Sequence, residues 1–266
     1  MMQSHNCPHL ETPPKVISID PDGDLHLVVG ENRYILPSLP SEDTSRSSSR
    51  RNSDAELTTK EDEEQEQPHE HERAATYIVC SKTLSRTTKI WKRLLYGGFA
   101  ESKKPDGDEP WIVALPDHSA APMKIILDII HGRFDQVPVK GDVSLDEFHA
   151  LTVLTDKYDL THLLRPWAYD WMEEKLFLFQ DGAQGGGPCM EHFLRGLWIS
   201  REIGDKGTFD YILLRAAYRL YSTEGGQLGY RASQSDALQP LFEDILEPPG
   251  MTGKKTARWI GMMLVR

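Results

Sequence analysis

The chain has 266 residues, 39% of them apolar, and its 30 basic and 41 acidic residues give a formal charge of -11 and a pI near 5.4. That length suits one good-sized domain with a smaller unit, and the apolar share is enough for a core, so a wholly disordered chain is excluded. The acidic balance gives no overall footprint for phosphate backbones, so nucleic acid is not an expected partner.

The three cysteines, Cys7, Cys80 and Cys189, lie far apart without paired spacing. This argues for free thiols in a reducing compartment. The opening residues "MMQSHNCPHLETPP" hold no apolar signal core, and no run approaches the roughly 18 apolar residues of a spanning helix. The expectation is an intracellular protein without a membrane partner, in cytoplasm or nucleus. The basic pairs Arg50-Arg51 and Lys254-Lys255 are too short to choose between the two.

Residues 1–18 are expected to be a disordered N-terminus. The turn signal Asp20-Pro21-Asp22-Gly23 then leads into "DLHLVVG" (Asp24 to Gly30), a β run. "RYIL" (Arg33 to Leu36) is either a strand of its own or a continuation of the first hairpin. Between Ser41 and Arg73 composition changes sharply, with eleven acidic residues against five basic ones, a net charge of -6, and only Ala55 and Leu57 as apolar residues. Such a stretch cannot bury enough surface to offset the entropy of ordering, so a disordered acidic insertion is expected over 38–74. Arg50-Arg51-Asn52-Ser53 within it matches what a basophilic kinase reads, making Ser53 a candidate phosphorylation site, although a solvated Ser/Arg run has the same appearance. His69-Glu70-His71 and His5-Asn6-Cys7-Pro8-His9 lack the paired spacing of a structural zinc module, and no metal is expected.

"ATYIVC" (Ala75 to Cys80) is a second strand. The period then changes, with Leu84, Thr87, Thr88, Trp91, Leu94 and Leu95 at helical spacing, Lys82, Arg86, Lys89 and Arg93 opposite, and Gly97-Gly98 as the stop. One amphipathic helix is predicted. "WIVALP" (Trp111 to Pro116) is a strand, and "SAAPMKIILDIIHG" is a helix with Pro122 in its first turn and Gly132 at its end. Ser144-Leu145-Asp146-Glu147 fits a capping box, so a further helix starts at Leu145, and Pro166 marks a break or fresh start. "DGAQGGGP" (residues 181–188) is a glycine-rich linker without the order of a phosphate loop. Residues 189–266 are expected to be a mostly helical extension, through "MEHFLRGLWISREIG", "TFDYILLRAAYRLYS" and a weaker pattern from Asp236 to Leu246. The fold class is α/β (α+β), a small sheet surrounded by helices.

The succession "DPDGDLHLVVG", "YIVCSKTLSRTTKIWKRLLYGGFAES", "WIVALPDHSAAPMKIILDIIHGRFDQVP" and "LTDKYDL" resembles a BTB (POZ) domain, most of all the fungal branch of that family. The resemblance spans about Ile19 to Leu178, placing a BTB domain over 19–180, and extends more loosely to the helical extension. It implies a protein–protein contact fold with no catalytic activity and no cofactor. Family members homodimerise, join other subunits, or bring substrates to a cullin-based ubiquitin ligase. In such adaptors an apolar-x-Glu segment after the glycine turn touches the cullin, and Phe99-Ala100-Glu101 occupies that place.

An aromatic anchor beside a carboxylate is a pairing that carries interface energy. The competing reading has Phe99 tucked back on its own helix with Glu101 solvated. The resemblance also points to Asp24 and Lys82 as members of a charged dimer pocket, but the usual His-Lys pair falls on Cys80 and Ser81, with Lys82 displaced by one. Asp24 is therefore read in preference as an acceptor of turn hydrogen bonds. Tyr158 of Asp156-Lys157-Tyr158-Asp159 is expected to pack inward, and Trp167 and Trp171, at i, i+4 spacing, are read as core or partner-facing packing.

No Gly-x-Ser-x-Gly elbow, His-Glu-x-x-His helix or dinucleotide fingerprint is present, though an enzyme site assembled from distant residues leaves no such trace. The favoured function is a non-enzymatic oligomerising or scaffolding module, with the cullin adaptor second. No recognition repeat is visible to read a substrate, and this ranks the adaptor below the scaffold.

Overall fold

Alternation of side chains across a strand lets one face of a sheet be apolar throughout, and that regularity organises the molecule. The computed structural model describes residues 15–30, 74–107, 109–180, 189–222, 228–231 and 238–240. Four strands, β1 (Lys15–Ser18), β2 (Leu25–Val29), β3 (Ala75–Val79) and β4 (Trp111–Leu115), form a sheet of order β1-β3-β2-β4. β2 and β3 are antiparallel, whereas β1 runs parallel to β3 and β4 parallel to β2. The register aligns Leu25 with Val79 and Trp111, Leu27 with Tyr77 and Val113, and Val29 with Ala75 and Leu115. All nine of these side chains are buried.

Helices cover that face. The predicted single helix after β3 is two: α1 (Ser81–Thr87) and α2 (Lys89–Tyr96), separated by Thr88 in an extended conformation (φ -144°, ψ 159°). The Thr pair explains the break. Thr87 Oγ1 donates back to the Leu84 carbonyl at 2.6 Å, and Thr88 Oγ1 caps α2 by accepting the Trp91 N–H at 3.3 Å. Both bonds compete with a continuous helical ladder. Leu84, Trp91 and Leu95 still share the buried side, as the helical period requires.

α3 (Ala120–Ile130) follows β4, and α4 (Leu145–Tyr158) begins at the predicted capping box. Glu147 N–H donates to Ser144 Oγ at 3.1 Å and Ser144 N–H to the Glu147 carboxylate at 2.8 Å. α5 (Arg165–Lys175) carries Pro166 in its first turn. Tyr158 packs inward as expected, stacked on Trp91 with ring centroids 4.5 Å apart. Trp171 is core, while Trp167 is half-buried between Trp171 and the exposed Phe134.

α6 (Met190–Glu202) and α7 (Lys206–Ala217) form a pair that shares one continuous apolar cluster with the sheet domain. Arg195 of α6 reaches Asp146 of α4 at 3.1 Å, and Phe179 meets Phe193 at 5.8 Å. The separation into two units at the glycine-rich stretch is thus not a separation of cores.

Two sequence expectations are corrected. Lys15–Ser18, placed within a disordered N-terminus, is a strand paired with Ala75–Ile78. Val16 is 63% exposed there, so the backbone ladder rather than side-chain burial holds it, and no apolar alternation announces it. Within the extension the helix expected through "TFDYILLRAAYRLYS" stops early: α7 ends at Ala217, and β5 (Leu220–Ser222), β6 (Leu228–Arg231) and β7 (Leu238–Pro240) form a second sheet, antiparallel throughout. Leu220 continues the apolar period of α7 and is buried, but strand pairing supplies its segment's hydrogen bonds. The pattern predicted as helix from Asp236 includes β7. Residues 1–14, the strand candidate Arg33–Leu36, most of the 38–74 insertion with Ser53, the linker 181–188 and residues 241–266 lie outside the described residues.

Two expected outcomes follow from the α4–α6–α7 packing. A Cβ at Gly196 would stand 2.6 Å from Phe179 Cζ and 3.0 Å from Ile212 Cδ1. Gly196→Ala should therefore lower stability by about 1 to 3 kcal/mol in urea unfolding, and an unchanged midpoint would refute this packing. His149 of α4 faces Trp198 of α6 at 6.2 Å, and burial first, then Arg195, hold its pKa down at about 4 against a usual 6.5, with Asp146 opposing. The folded state thus prefers neutral imidazole, and the unfolded chain binds more protons between those values. The contribution is complete above pH 6.5 and is lost as pH falls toward 4. Because His149 is only partly buried, the loss should be on the order of 1 to 2 kcal/mol, smaller in His149→Gln, as read from urea midpoints across that range.

Candidate protein contact site

The turn before β2 is closed by Asp20, whose Oδ1 accepts the Asp22 N–H at 3.0 Å. Asp24 is therefore released from the turn role expected of it, and its carboxylate reaches the start of α1. Oδ1 accepts the Ser81 N–H at 2.8 Å and Oδ2 accepts the Ser81 hydroxyl at 2.8 Å. With its proton committed to Asp24, Ser81 Oγ accepts from the Tyr96 hydroxyl, 2.6 Å away at the end of α2. Lys104 Nζ approaches Asp24 Oδ2 at 3.5 Å from the far side. Partial burial works against the charge of Asp24, but the bonds from Ser81 and the Lys104 ammonium outweigh it and hold the carboxyl below its usual range.

This arrangement corrects the pocket expected at Asp24 and Lys82. Lys82 is exposed and makes no ion pair with a described residue, and Lys104 stands beside Asp24 instead. At the adjoining helix start, the Cys80 N–H donates to His131 Nε2 at 3.2 Å, and His131 Nδ1 is 2.9 Å from the Leu127 carbonyl. Those two contacts fix the neutral tautomer with the proton on Nδ1.

The same cluster carries the Phe99 segment. Gly98 adopts φ +85°, which turns the chain out of α2. Ala100–Ser102 then form a 3-10 turn in which the Ser102 hydroxyl donates to the Phe99 carbonyl at 2.7 Å. Trp111 at the start of β4 anchors it: its indole N–H donates to the Glu101 carbonyl at 2.9 Å. Tyr96 meets the Trp111 ring edge-on at 5.9 Å, and the Lys104 ammonium lies 5.9 Å from that ring's centroid. Phe99 itself is 57% exposed. The Glu101 carboxylate makes no ion pair with another described residue.

The structure therefore brings Asp24 and the Phe99–Glu101 segment into one network and leaves Lys82 out of it. Ser81, Tyr96, Lys104 and Trp111 were not singled out as site residues in the sequence. The displaced basic pair at Cys80-Ser81 was the only sign that something other than a lysine meets Asp24. Among the described residues no group of His, Cys, Asp and Glu is placed to hold a metal ion. An open cleft of about 520 Å³ lies along α7, lined by Tyr211, Leu214, Arg215, Tyr218 and Arg219.

Comparison with models of protein families, with curated proteins and with solved structures finds no match. The geometry of the chain itself is therefore what any functional reading has to rest on.

Trp111→Phe keeps the ring and removes the indole donor. It should leave the fold intact by circular dichroism and raise exchange of the turn's hydrogen-bonded amides, Ser102 and Lys103, by about tenfold, the effect of losing roughly 1 kcal/mol of local hydrogen bonding. Unchanged exchange would show that the anchor does not hold the turn.

Proposed function

We propose that the chain is a non-enzymatic protein–protein interaction module of the BTB (POZ) kind, acting as an oligomerising or scaffolding protein in the cytoplasm or nucleus. The observation that carries this reading is the mounting of Phe99: a large aromatic ring left in solvent on a turn braced by Trp111, Tyr96, Lys104, Ser81 and Asp24. Solvating an aromatic ring costs free energy, and bracing it removes the entropy that a partner would otherwise have to take from it. Both features favour an anchor for a protein surface.

A second reading has a specific observation in its favour. Phe99-Ala100-Glu101 has the apolar-x-Glu form of a cullin contact, and both the ring and the carboxylate are without a partner among the described residues. On that reading the chain is a substrate adaptor of a cullin-based ubiquitin ligase, with the α6–α7 portion as the place for substrate.

The test is affinity capture from lysate with wild type beside Phe99→Ala/Glu101→Ala, together with light scattering of the purified chain. A defined oligomer that retains non-cullin partners supports the scaffold. Loss of a retained cullin in the double variant, with affinity falling by about 1 to 3 kcal/mol for Phe99 alone, supports the adaptor. A monomer whose retained proteins are the same in wild type and variant would sink both.

A further inference from the structure

Residues 81–104 carry seven basic residues and one acidic residue, a local charge of +6 in a chain whose total is -11. Lys82 and Arg86 are spaced i, i+4 on α1, and Lys89, Lys92 and Arg93 are spaced i, i+3, i+4 on α2, with Lys103 just beyond the Phe99 turn. All six are exposed, and none makes an ion pair with another described residue. Elsewhere Lys124, Arg133, Lys140, Arg195 and Lys206 each meet a carboxylate, and exposed Lys157 and Arg165, like the six, make no ion pair with another described residue, so it is the clustering that sets this face apart.

The helix dipole accounts for only part of this arrangement: Arg86 and Arg93 lie in the last turns of α1 and α2, where a cation is favoured, but Lys82 and Lys89 do not. Neither has an acidic residue in its first turn, and each has a lysine there, Lys82 and Lys89, where the helix dipole repels a cation. Like charges at i, i+4 add a further penalty. Burial of Leu84, Trp91 and Leu95 would be served equally by neutral helix formers on the outer side. An exposed face this dense in like charge, without an ion pair among the described residues, is suited to a partner of opposite charge.

We propose that the outer face of α1 and α2 docks an acidic protein segment. Ile90 and Tyr96, 38% and 50% exposed among the cations, give such a segment an apolar footing as well as charge. Dimensions fit a short occupant: helices of 7 and 8 residues extend roughly 10 to 12 Å each. An extended peptide of about eight residues covers that span. A long polyanion fits worse, because nucleic acid continuing past the patch meets the negative charge of the rest of the chain. The inference does not depend on the role of Phe99, which lies on a separate turn.

The experiment is fluorescence anisotropy with a labelled acidic peptide of about ten residues, mostly Glu with one Leu and one Phe, and with duplex DNA and phosphatidylserine vesicles as alternative anions. Because residues 41–73 carry a net charge of -6 and supply a tethered competitor, the full chain is measured alongside the same chain with Glu61→Gln, Glu63→Gln, Glu64→Gln and Glu66→Gln. The peptide should bind at low salt and weaken by about tenfold between roughly 50 and 200 mM salt. Lys89→Glu/Arg93→Glu, with circular dichroism unchanged, should weaken it by at least about tenfold, whereas Phe99→Ala should leave it unaltered. Lys206→Glu on α7 serves as the charge control. Absence of peptide binding in both chains, equal loss in the control, or tighter binding of DNA or vesicles than of peptide would each overturn the proposal.

Discussion

A carboxylate with two strong donors and a cation fixes the geometry on which the accessible surface depends. Asp24 stands at the entrance of β2, and Ser81, which fills both of its oxygens, stands at the entrance of α1. Charge-assisted hydrogen bonds of this kind contribute about 1.5 to 3 kcal/mol each when shielded from water. Through Ser81 the constraint passes to Tyr96 at the far end of α2, and through Lys104 and Trp111 to the turn that presents Phe99. Four segments of chain are thereby held in one arrangement, and the exposed ring is a consequence of their rigidity.

The apolar side of the molecule works by a different rule. The nine residues aligned across β2, β3 and β4 make one unbroken buried face, and the helices close over it, with the Tyr77 hydroxyl donating to the Ala120 carbonyl at the start of α3 at 2.7 Å. Beyond the sheet the same cluster continues through Phe179 and Phe193 into α6 and α7. A glycine-rich stretch in sequence therefore marks a connection and leaves the core undivided. Gly196 shows how close that approach is, since its lack of a side chain is what admits Phe179.

The exposed features divide by chemistry. The Phe99 turn offers an aromatic ring and a carboxylate with no ion pair among the described residues, on a braced support, which suits a specific contact with a shaped, basic pocket. The α1–α2 face offers a dense positive charge with little apolar area, which suits a more adaptable acidic segment. The two lie next to each other in the chain, the cationic face on α1 and α2 and the Phe99 turn just after α2.

Legibility from sequence followed the range of the forces involved. The strands "DLHLVVG", "ATYIVC" and "WIVALP", the capping box at Ser144 and Glu147, and the fresh start at Pro166 are set by neighbours within a few residues, and the structure has each of them. The break at Thr88 was local as well, but the apolar period runs through it and conceals the hydroxyl that competes with the backbone. β1 carried no signal, because an edge strand held by its ladder needs no apolar face. The partner of Asp24 lies 57 residues away, and the donor to Glu101 is a side chain at the start of the next strand, β4. The sequence by itself determined the central strands β2, β3 and β4, the starts of α4 and α5 and where the charge would lie, since those follow from spacing and composition. Only the tertiary structure decided that Asp24 would meet Ser81, that Lys104 would stand where Lys82 was expected, and that Phe99 would face solvent, because contacts between distant segments depend on how the core packs.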